Sequence, residues 1–471
     1  MATRKKTSKT KTVDQKPVTR GPARMSRRAY DAGKINRLFA DWMTTGHAAN
    51  VDIKQALVLS RNRARDLEQN DDICRRYLAL VETNIVGKAG FTLRLKGDNQ
   101  DEIAQIRERF TEWLDECEVT GQFSGPELQR LAVRTWARDG EGLGLFYRGK
   151  DYKHGLAFRA LEPDYLDEQA NHKGWRVIMG VHLDPVGRPV AYDIYNRHPG
   201  ETTDITRAAT KPYDAKDVLH LFRPERAGQV RGMTWLSSIM KSVRMLHGYQ
   251  EAELVAARVA SCQMGFYKIP PGEDWKNDGE DADGSALSDA APGVFERMPT
   301  GWEFQSFSPT HPTSQYGAFV KEIKREISSG VNVSYGALAN DGSDANYSSM
   351  REMSILEREN WLVCQDSFAR RFMRRLYREW IQTAELSNIF NFDVAPYRQA
   401  DAWTGRTWPW VDPEKDINAR KIEIELGLTS PSILAAERGI DYGEVLKQIA
   451  EDEKKRKENN LPSLFVTAGK E

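Results

Sequence analysis

The chain is 471 residues long, and its 68 Lys and Arg balance 68 Asp and Glu, so the formal net charge is zero. At roughly 150 residues per domain that length predicts about three folding units, and neutrality argues against a protein that grips nucleic acid over its whole surface. The four cysteines (Cys74, Cys117, Cys262, Cys364) form no CxxC pair, which argues against a disulfide framework or a cysteine zinc site.

Those cysteines read as reduced, mostly buried thiols, as expected for cytosolic synthesis. No apolar run approaches the roughly 18 residues of a membrane span, and the N-terminus lacks the apolar core of a secretory signal.

Residues 1–28 form a basic arm with ten Lys or Arg, among them Arg4, Lys5, Lys6, Lys9 and Lys11, against the single acid Asp14. With so little to bury it is expected to be disordered, and it reads equally as a solvated tail or as a polyanion contact. Residues 34–87 read as helical, with Leu57, Leu67, Ile73, Tyr77, Leu80 and Val81 at helical intervals and Gly87 as a stop. Helices are predicted over 101–118 and 125–138, the latter with Pro126 in its first turn. Strands are predicted at 143–148, 155–161, 177–183 and 189–195, the last two joined into a hairpin by Asp184-Pro185-Val186-Gly187.

A long helix is expected over 233–264, followed by an exposed acidic stretch with seven acids against Lys276 between 271 and 290. Helix resumes at 315–331 with a stripe of Phe319, Ile323 and Ile327, and a polar loop occupies 340–349. A long helix then covers 350–386, with Met353, Leu356, Cys364, Phe368, Phe372, Leu376 and Trp380 as its packing stripe. Three short helices end the chain, signalled by Asp412-Pro413, Gly427, Ser430-Pro431, Gly439 and the Asp441-x-x-Glu444 capping pattern.

The motifs of common catalysts are missing. There is no GxxxxGK[ST] loop, no GxSxG elbow and no HExxH, and the GEGLG at 140–144 leads into a strand rather than a helix. The eight histidines lack metal-ligand spacing, and no convergent carboxylate set stands out for a divalent metal. A helix–turn–helix reading of 413–438 is disfavoured because its second helix carries one base, Arg438. The rival readings are a metal-dependent DNA-processing enzyme, which added magnesium would reveal, and a DNA-binding protein that works through the basic arm.

Several stretches resemble the lambda-like portal proteins of tailed bacteriophages. They are RRYLALVETNIVGKAG (75–90), RDGEGLGLF (138–146), LEPDYLD (161–167), GRPVAYDIY (187–195), DVLHLFRPERAGQVRGMTWL (217–236), EAELVAARVAS (251–261), LANDGSDANYSSMRE (338–352) and the run from Trp408 to Asp452. They fall in the family's order from about 30 to 455; the arm and the acidic stretch show no family pattern. The resemblance implies a mixed α+β, helix-rich fold with a disordered arm (1–28), a wing (29–232) and a first stem helix (233–264). A clip (265–311), second stem helix (312–335), channel loop (336–348), long helix and wing return (349–410), helical crown (411–458) and tail (459–471) follow.

It further implies no enzyme activity and no cofactor, but a homo-oligomeric ring, expected to be a dodecamer, at one capsid vertex. Double-stranded DNA would pass through it during packaging and ejection. Its partners would be the terminase large subunit, the major capsid and scaffold proteins, and then head-completion and tail connector proteins. The subunit would reside in the virion after assembly in the host cytoplasm, with no membrane contact. On this reading Asn340, Asp341, Asp344, Asn346 and Tyr347 belong to the channel loop, and Lys241, Arg244, Lys321, Lys324 and Arg325 face DNA from the stem. Glu273, Asp274, Asp278, Glu280, Asp281 and Asp283 form a clip docking surface, and Trp136, Trp175, Trp403, Trp408 and Trp410 serve as anchors between subunits or as core. A neutral chain with an acidic or polar loop suits a lining that lets DNA slide, since each neutralised phosphate adds affinity.

Overall fold

The computed structural model describes residues 37, 45–170, 176–201, 208–262, 265–268, 303–306, 315–343, 346–399, 402–408, 413–438, 440 and 442–463. The chain separates into Met1–His47 and Ala48–Glu471, and all that follows concerns the second unit.

Within the described part of the helical stretch expected at 34–87 there are two helices, α1 (Ala49–Asn70) and α2 (Asp72–Ile85); most of 34–44 lies outside the described residues. Asp71 breaks them with an extended backbone (φ −120°, ψ 126°), and its carboxylate accepts a hydrogen bond from Cys74 N at 2.8 Å, so the break is also the cap of α2. A short strand β1 (Thr92–Arg94) leads to α3 (Gln100–Leu114), capped by Asn99, and α4 (Gly125–Asp139), capped by a reciprocal Ser124–Glu127 box. Helix α4 stops at Gly140, at φ 90°, where an added Cβ would lie 2.2 Å from the carbonyl carbon of Met233. Only glycine fits that close approach.

Strands β2 (Glu141–Arg148) and β3 (Leu156–Leu161) pair antiparallel, confirming both expected strands. The stretch expected as one strand at 177–183 is two, β4 (Arg176–Ile178) and β5 (Val181–Leu183). Met179 and Gly180 take positive φ (48° and 81°), the signature of a tight hairpin turn, and β4 folds back on β5. β5 then pairs with β6 (Pro189–Tyr195) across the predicted Asp184 turn, where Asp184 Oδ1 accepts from Val186 N and Arg188 N. β7 (Thr210–Asp214) completes a four-stranded sheet in the order β4-β5-β6-β7, and β8 (Val218–Phe222) completes a three-stranded sheet in the order β3-β2-β8.

Helix α5 (Met240–Cys262) begins seven residues later than expected. The preceding residues bind the end of α4 instead: Trp235 N and Thr234 Oγ1 both donate to Ala137 O, at 3.0 and 3.5 Å. Strands β9 (Gly265–Lys268) and β10 (Glu303–Ser306) pair antiparallel. Next come α6 (Tyr316–Gly330), α7 (Tyr335–Ala339) and α8 (Tyr347–Phe368), which continues through one wide turn, Ala369–Met373, into α9 (Arg374–Leu386). That turn sits where Phe368 and Phe372 stack at 4.8 Å. Strand β11 (Ala402–Thr404) pairs back on β1. The three C-terminal helices form as predicted: α10 (Pro413–Glu425), α11 (Pro431–Glu437) and α12 (Tyr442–Glu458). Ser430 Oγ accepts from Ile433 N as the expected cap of α11.

The main core joins α2, α3 and α4 to the α8–α9 rod through Trp113, Trp136, Trp361 and Trp380, all fully buried. Trp136 therefore belongs to the core rather than to a subunit contact, while Trp403 and Trp408 are half-buried and Trp175 and Trp410 lie outside the described residues. Phe110 meets Trp380 edge-on at 5.1 Å, a favoured aromatic geometry. Cys74, Cys117 and Cys364 are free and buried, as expected; the side chain of Cys262 lies outside the description.

Between α1, β2 and β8 lies a buried ion network. Arg231, wholly inaccessible, clasps Glu141 with Nε at 2.9 Å from both carboxylate oxygens, and His220 Nε2 lies 2.9 Å from Glu141 Oε2. Burial alone would raise the Glu141 carboxyl, but the Arg231 charge and the His220 contact hold it well below the usual range. Arg61, also buried, reaches Asp164 at 3.2 Å, and Arg65 bridges Asp139 (2.8 Å) and Asp164 (2.5 Å).

Candidate channel-lining elements

Helices α5 and α6 pack against each other, and their join is tight at one end. An added Cβ on Gly330 would lie 2.5 Å from Ile239 Cγ2, and Ser238 Oγ donates to Gly330 O at 3.1 Å. Towards the other end the contact is aromatic, with Tyr249 stacked on Tyr316 at 5.9 Å and edge-on to Phe319 at 5.2 Å. The stripe predicted for α6 holds at Ile327, which is buried, but Phe319 is exposed and Val320 is buried in its place. α5 likewise leaves Met245, Leu254 and Val255 exposed, with Lys241 and Arg244 on its exposed surface.

Lys321 and Arg325, one turn apart on α6, approach the ring of Tyr335 at 5.8 and 5.6 Å. Arg325 also pairs with Glu322 at 2.6 Å. Lys324 lies on a different side of the helix turn, and its main-chain oxygen accepts from Ser328 Oγ. Of the five stem cations, then, two converge on α7 and the others do not join them there.

The polar segment after α7 is fastened at several points. Ser334 caps α7 through Ala337 N, and its own hydroxyl donates to Glu357 Oε2 on α8 at 2.6 Å. Asn340 ends α7 in the left-handed region (φ 53°), which asparagine tolerates better than most residues. Asp341 accepts from Tyr335 OH at 2.9 Å and from Ser343 N at 3.0 Å, and these bonds bring its carboxyl down to about 2. Burial, then the neighbouring Asp341, raises the Tyr335 hydroxyl. Asn346 caps α8 by accepting from Ser349 N at 2.8 Å, so the expected loop ends at 346 and Tyr347 is the first residue of the helix. The structure thus brings together Asn340, Asp341, Lys321 and Arg325, and sets Asn346 at the far end of the same segment. Asp344 and the side chain of Tyr347 lie outside the described residues, as do the acids Glu273 to Asp283 and the whole basic arm.

Sequence reasoning missed the fastening residues. Tyr335, Glu357 and Arg76, which donates from Nε to Ala337 O at 3.2 Å, carry no motif. A second fastening lies behind α7: Asn84 Oδ1 accepts from Arg406 Nη1 at 2.7 Å and from Trp408 Nε1 at 3.0 Å. The stripe predicted for the long helix is buried from Cys364 to Trp380, but Met353 and Leu356 near its start are exposed.

A histidine and two acids not close in sequence do meet: Glu162, Asp164 and His198 offer ligand atoms within 4.8 Å of one another. Arg65 stands among them, 2.5 Å from Asp164 and 3.7 Å from Glu162, so a guanidinium already supplies the positive charge there. No described helix is long and apolar enough to cross a membrane.

The sequence profile of phage portal proteins of the lambda family matches residues 36–365. A probable portal protein of Halomonas phage phiHAP-1 is 29% identical over 94% of this chain and 89% of its own length. Portal protein B of Escherichia phage lambda is 23% identical over 66% of this chain and 65% of its own length. Among solved structures, a chain from the neck of a native GTA particle aligns over 83% of this chain and 99% of its own length, with 12% identity and a TM-score of 0.47. With the profile spanning most of its length, the chain belongs to the lambda family of phage portal proteins, structural components of the virion rather than enzymes.

Proposed function

We propose that copies of this chain close into a ring, a dodecamer, at one capsid vertex, and that double-stranded DNA is packaged and ejected through its centre. In this reading α5 and α6 are the stem and the segment from Asn340 to Asn346 is the channel loop. The segment 265–311 is the clip that meets the terminase motor and later the head-completion proteins, and α10 to α12 are the crown. The observation that carries it is the anchoring of the loop. A short polar segment is held at one end by Ser334–Glu357 and Tyr335–Asp341 and at the other by the Asn346 cap, on a rod that runs into the main core. Fixed ends with a polar middle suit a constriction that must keep its place while a polyanion slides past.

The electrostatics agree. Lys321 and Arg325 spend their charge near Tyr335 and Asp341, and the loop carries an ionised carboxylate at any ordinary pH. Weak net attraction lets DNA move, because affinity grows with every phosphate neutralised. Closure by a head-to-tail contact requires two different faces of one subunit to fit each other. The exposed apolar residues of α5 and of the start of α8 are such surfaces. Electron micrographs of the purified chain test the reading directly: rings with a central hole support it, and particles without a hole under assembling conditions sink it. Assembly in the host cytoplasm, with scaffold and major capsid protein, is part of the same proposal.

A further inference from the structure

The turn between β2 and β3 (149–155) rests on the side of α9. Its seating residue is His154, which takes the left-handed region (φ 56°, ψ 22°). Such a backbone is uncommon outside glycine and persists where the surroundings hold it. Here the rod does so: Trp380 Nε1 donates to His154 Nδ1 at 3.0 Å, and the two ring centroids lie 6.0 Å apart. The next residue, Gly155, comes so close to the end of α9 that an added Cβ would lie 2.9 Å from Ser387 Oγ.

The direction of that hydrogen bond fixes the state of the imidazole. An indole N–H can only donate, so Nδ1 carries a lone pair and the ring is neutral, with its proton on Nε2. A second proton must go to Nδ1, and it cannot bind there while the indole does. Trp380 is wholly buried and packed against Phe110, Trp113 and Phe390, so an indole N–H displaced from His154 is left inside the core. Burial, then the charges of Lys153 and Arg109, oppose protonation of His154 and lower it from the ordinary 6.5. Lys153 pairs with Glu116 at 2.8 Å, and Arg109 and Glu112 of α3 pair with each other at 3.1 Å. α9 meets the turn with the uncharged Trp380 and Thr383, and Glu379 beside them is held by Arg148 (2.6 Å) and Arg375 (3.2 Å). His154 is thus the member of this group that changes charge in the mildly acidic range.

We propose that His154 is a proton-operated latch: the neutral imidazole fastens the β2–β3 turn to the rod through Trp380, and a proton taken from solvent onto Nδ1 displaces the indole N–H and releases the turn. The latch stands apart from the channel reading, since it works within one subunit.

The test follows backbone hydrogen exchange in the full chain by mass spectrometry, beside His154→Asn at each pH so that the intrinsic pH dependence of exchange cancels. Asparagine places Oδ1 where Nδ1 stands, keeps an acceptor for the indole, does not titrate and adopts the left-handed region. The lowered value sets the sign: the latch is fully engaged above 6.5 and is lost as pH falls below it, above the ordinary carboxylate range. Between about pH 7.5 and about pH 5, protection of 149–155 in the unaltered chain is expected to fall about tenfold or more relative to His154→Asn. Equal protection of the two chains across that range overturns the proposal. A second variant decides the matter if the Asn chain opens or melts early at every pH. Trp380→Phe removes the donor, so the pKa of His154, read by deuterium exchange at its imidazole carbon, is expected to rise toward 6.5. An unmoved value overturns the proposal as well.

Discussion

The region around Glu141 and the α5–α6 pair handle their difficult residues in opposite ways. Around Glu141 the chain buries charges and satisfies them internally, with Arg231 clasping the carboxylate and His220 beside it. On α5 the chain leaves large apolar groups such as Leu254, 63% exposed, in water. Burying a paired charge costs desolvation and is repaid only by good geometry, so the first region must be rigid to be stable at all. The contrast separates a frame satisfied within the chain from an apolar face that the described residues leave in water.

The sharpest way to break this comparison is Glu141→Ala. It leaves Arg231 buried with its charge uncompensated, at an expected cost of about 3–5 kcal/mol in denaturant unfolding. A loss below about 1 kcal/mol would show that the region is not the rigid frame claimed. Acid tests the same frame without mutation. The Glu141 carboxyl is depressed when folded, so its stabilising contribution is present above its unfolded value near 4.5 and is lost as pH falls through the lower folded value. Glu68, lowered despite its burial by hydrogen bonds from Arg138 and Arg134, adds in the same direction. Stability is therefore expected to fall from about pH 4.5 downwards, and Glu141→Gln to flatten that fall.

Next in size is Gly330→Ala, where α5 and α6 meet. The new methyl would press on Ile239 Cγ2 from 2.5 Å, and a stiff β-branched side chain has little room to yield. Overpacking of this kind costs about 1–3 kcal/mol. The same melting curves measure it, and a neutral result would mean that the two helices are free to spread.

Much of the fold was legible in the sequence because local chemistry wrote it. Capping residues, proline and glycine punctuation predicted α4, α11 and the Asp184 turn, whereas the Asn346 cap, which starts α8 three residues before the expected 350, went unread. The misreadings have a common cause. Asp71 ends one helix by capping the next, which periodicity alone does not reveal, and the Met179–Gly180 turn hides inside an apolar run. Of the candidate site, Asn340, Asp341, Lys321 and Arg325 were singled out by position along the chain. Their meeting around Tyr335 depends on α6 folding back beside α7, which no spacing encodes. Glu141 stands in a glycine-flanked run that matches no nucleotide motif and carries part of the family resemblance, and a lone acid in an apolar strand is itself a sign of a buried partner.

The smallest expected effect on stability is also the one that bears most on function. Leu254→Gln replaces an exposed apolar side chain with one of nearly equal helix propensity, so unfolding is expected to shift by less than about 0.5 kcal/mol. If the exposed face of α5 is covered by a neighbouring subunit, the same change removes apolar area from that contact, and ring formation weakens while the subunit keeps its fold. Sedimentation and micrographs read assembly; melting reads the fold. A variant that assembles as well as the unaltered chain would show that Leu254 lies outside any interface, and the apolar start of α8, with Met353 and Leu356 exposed, would be the next face to substitute.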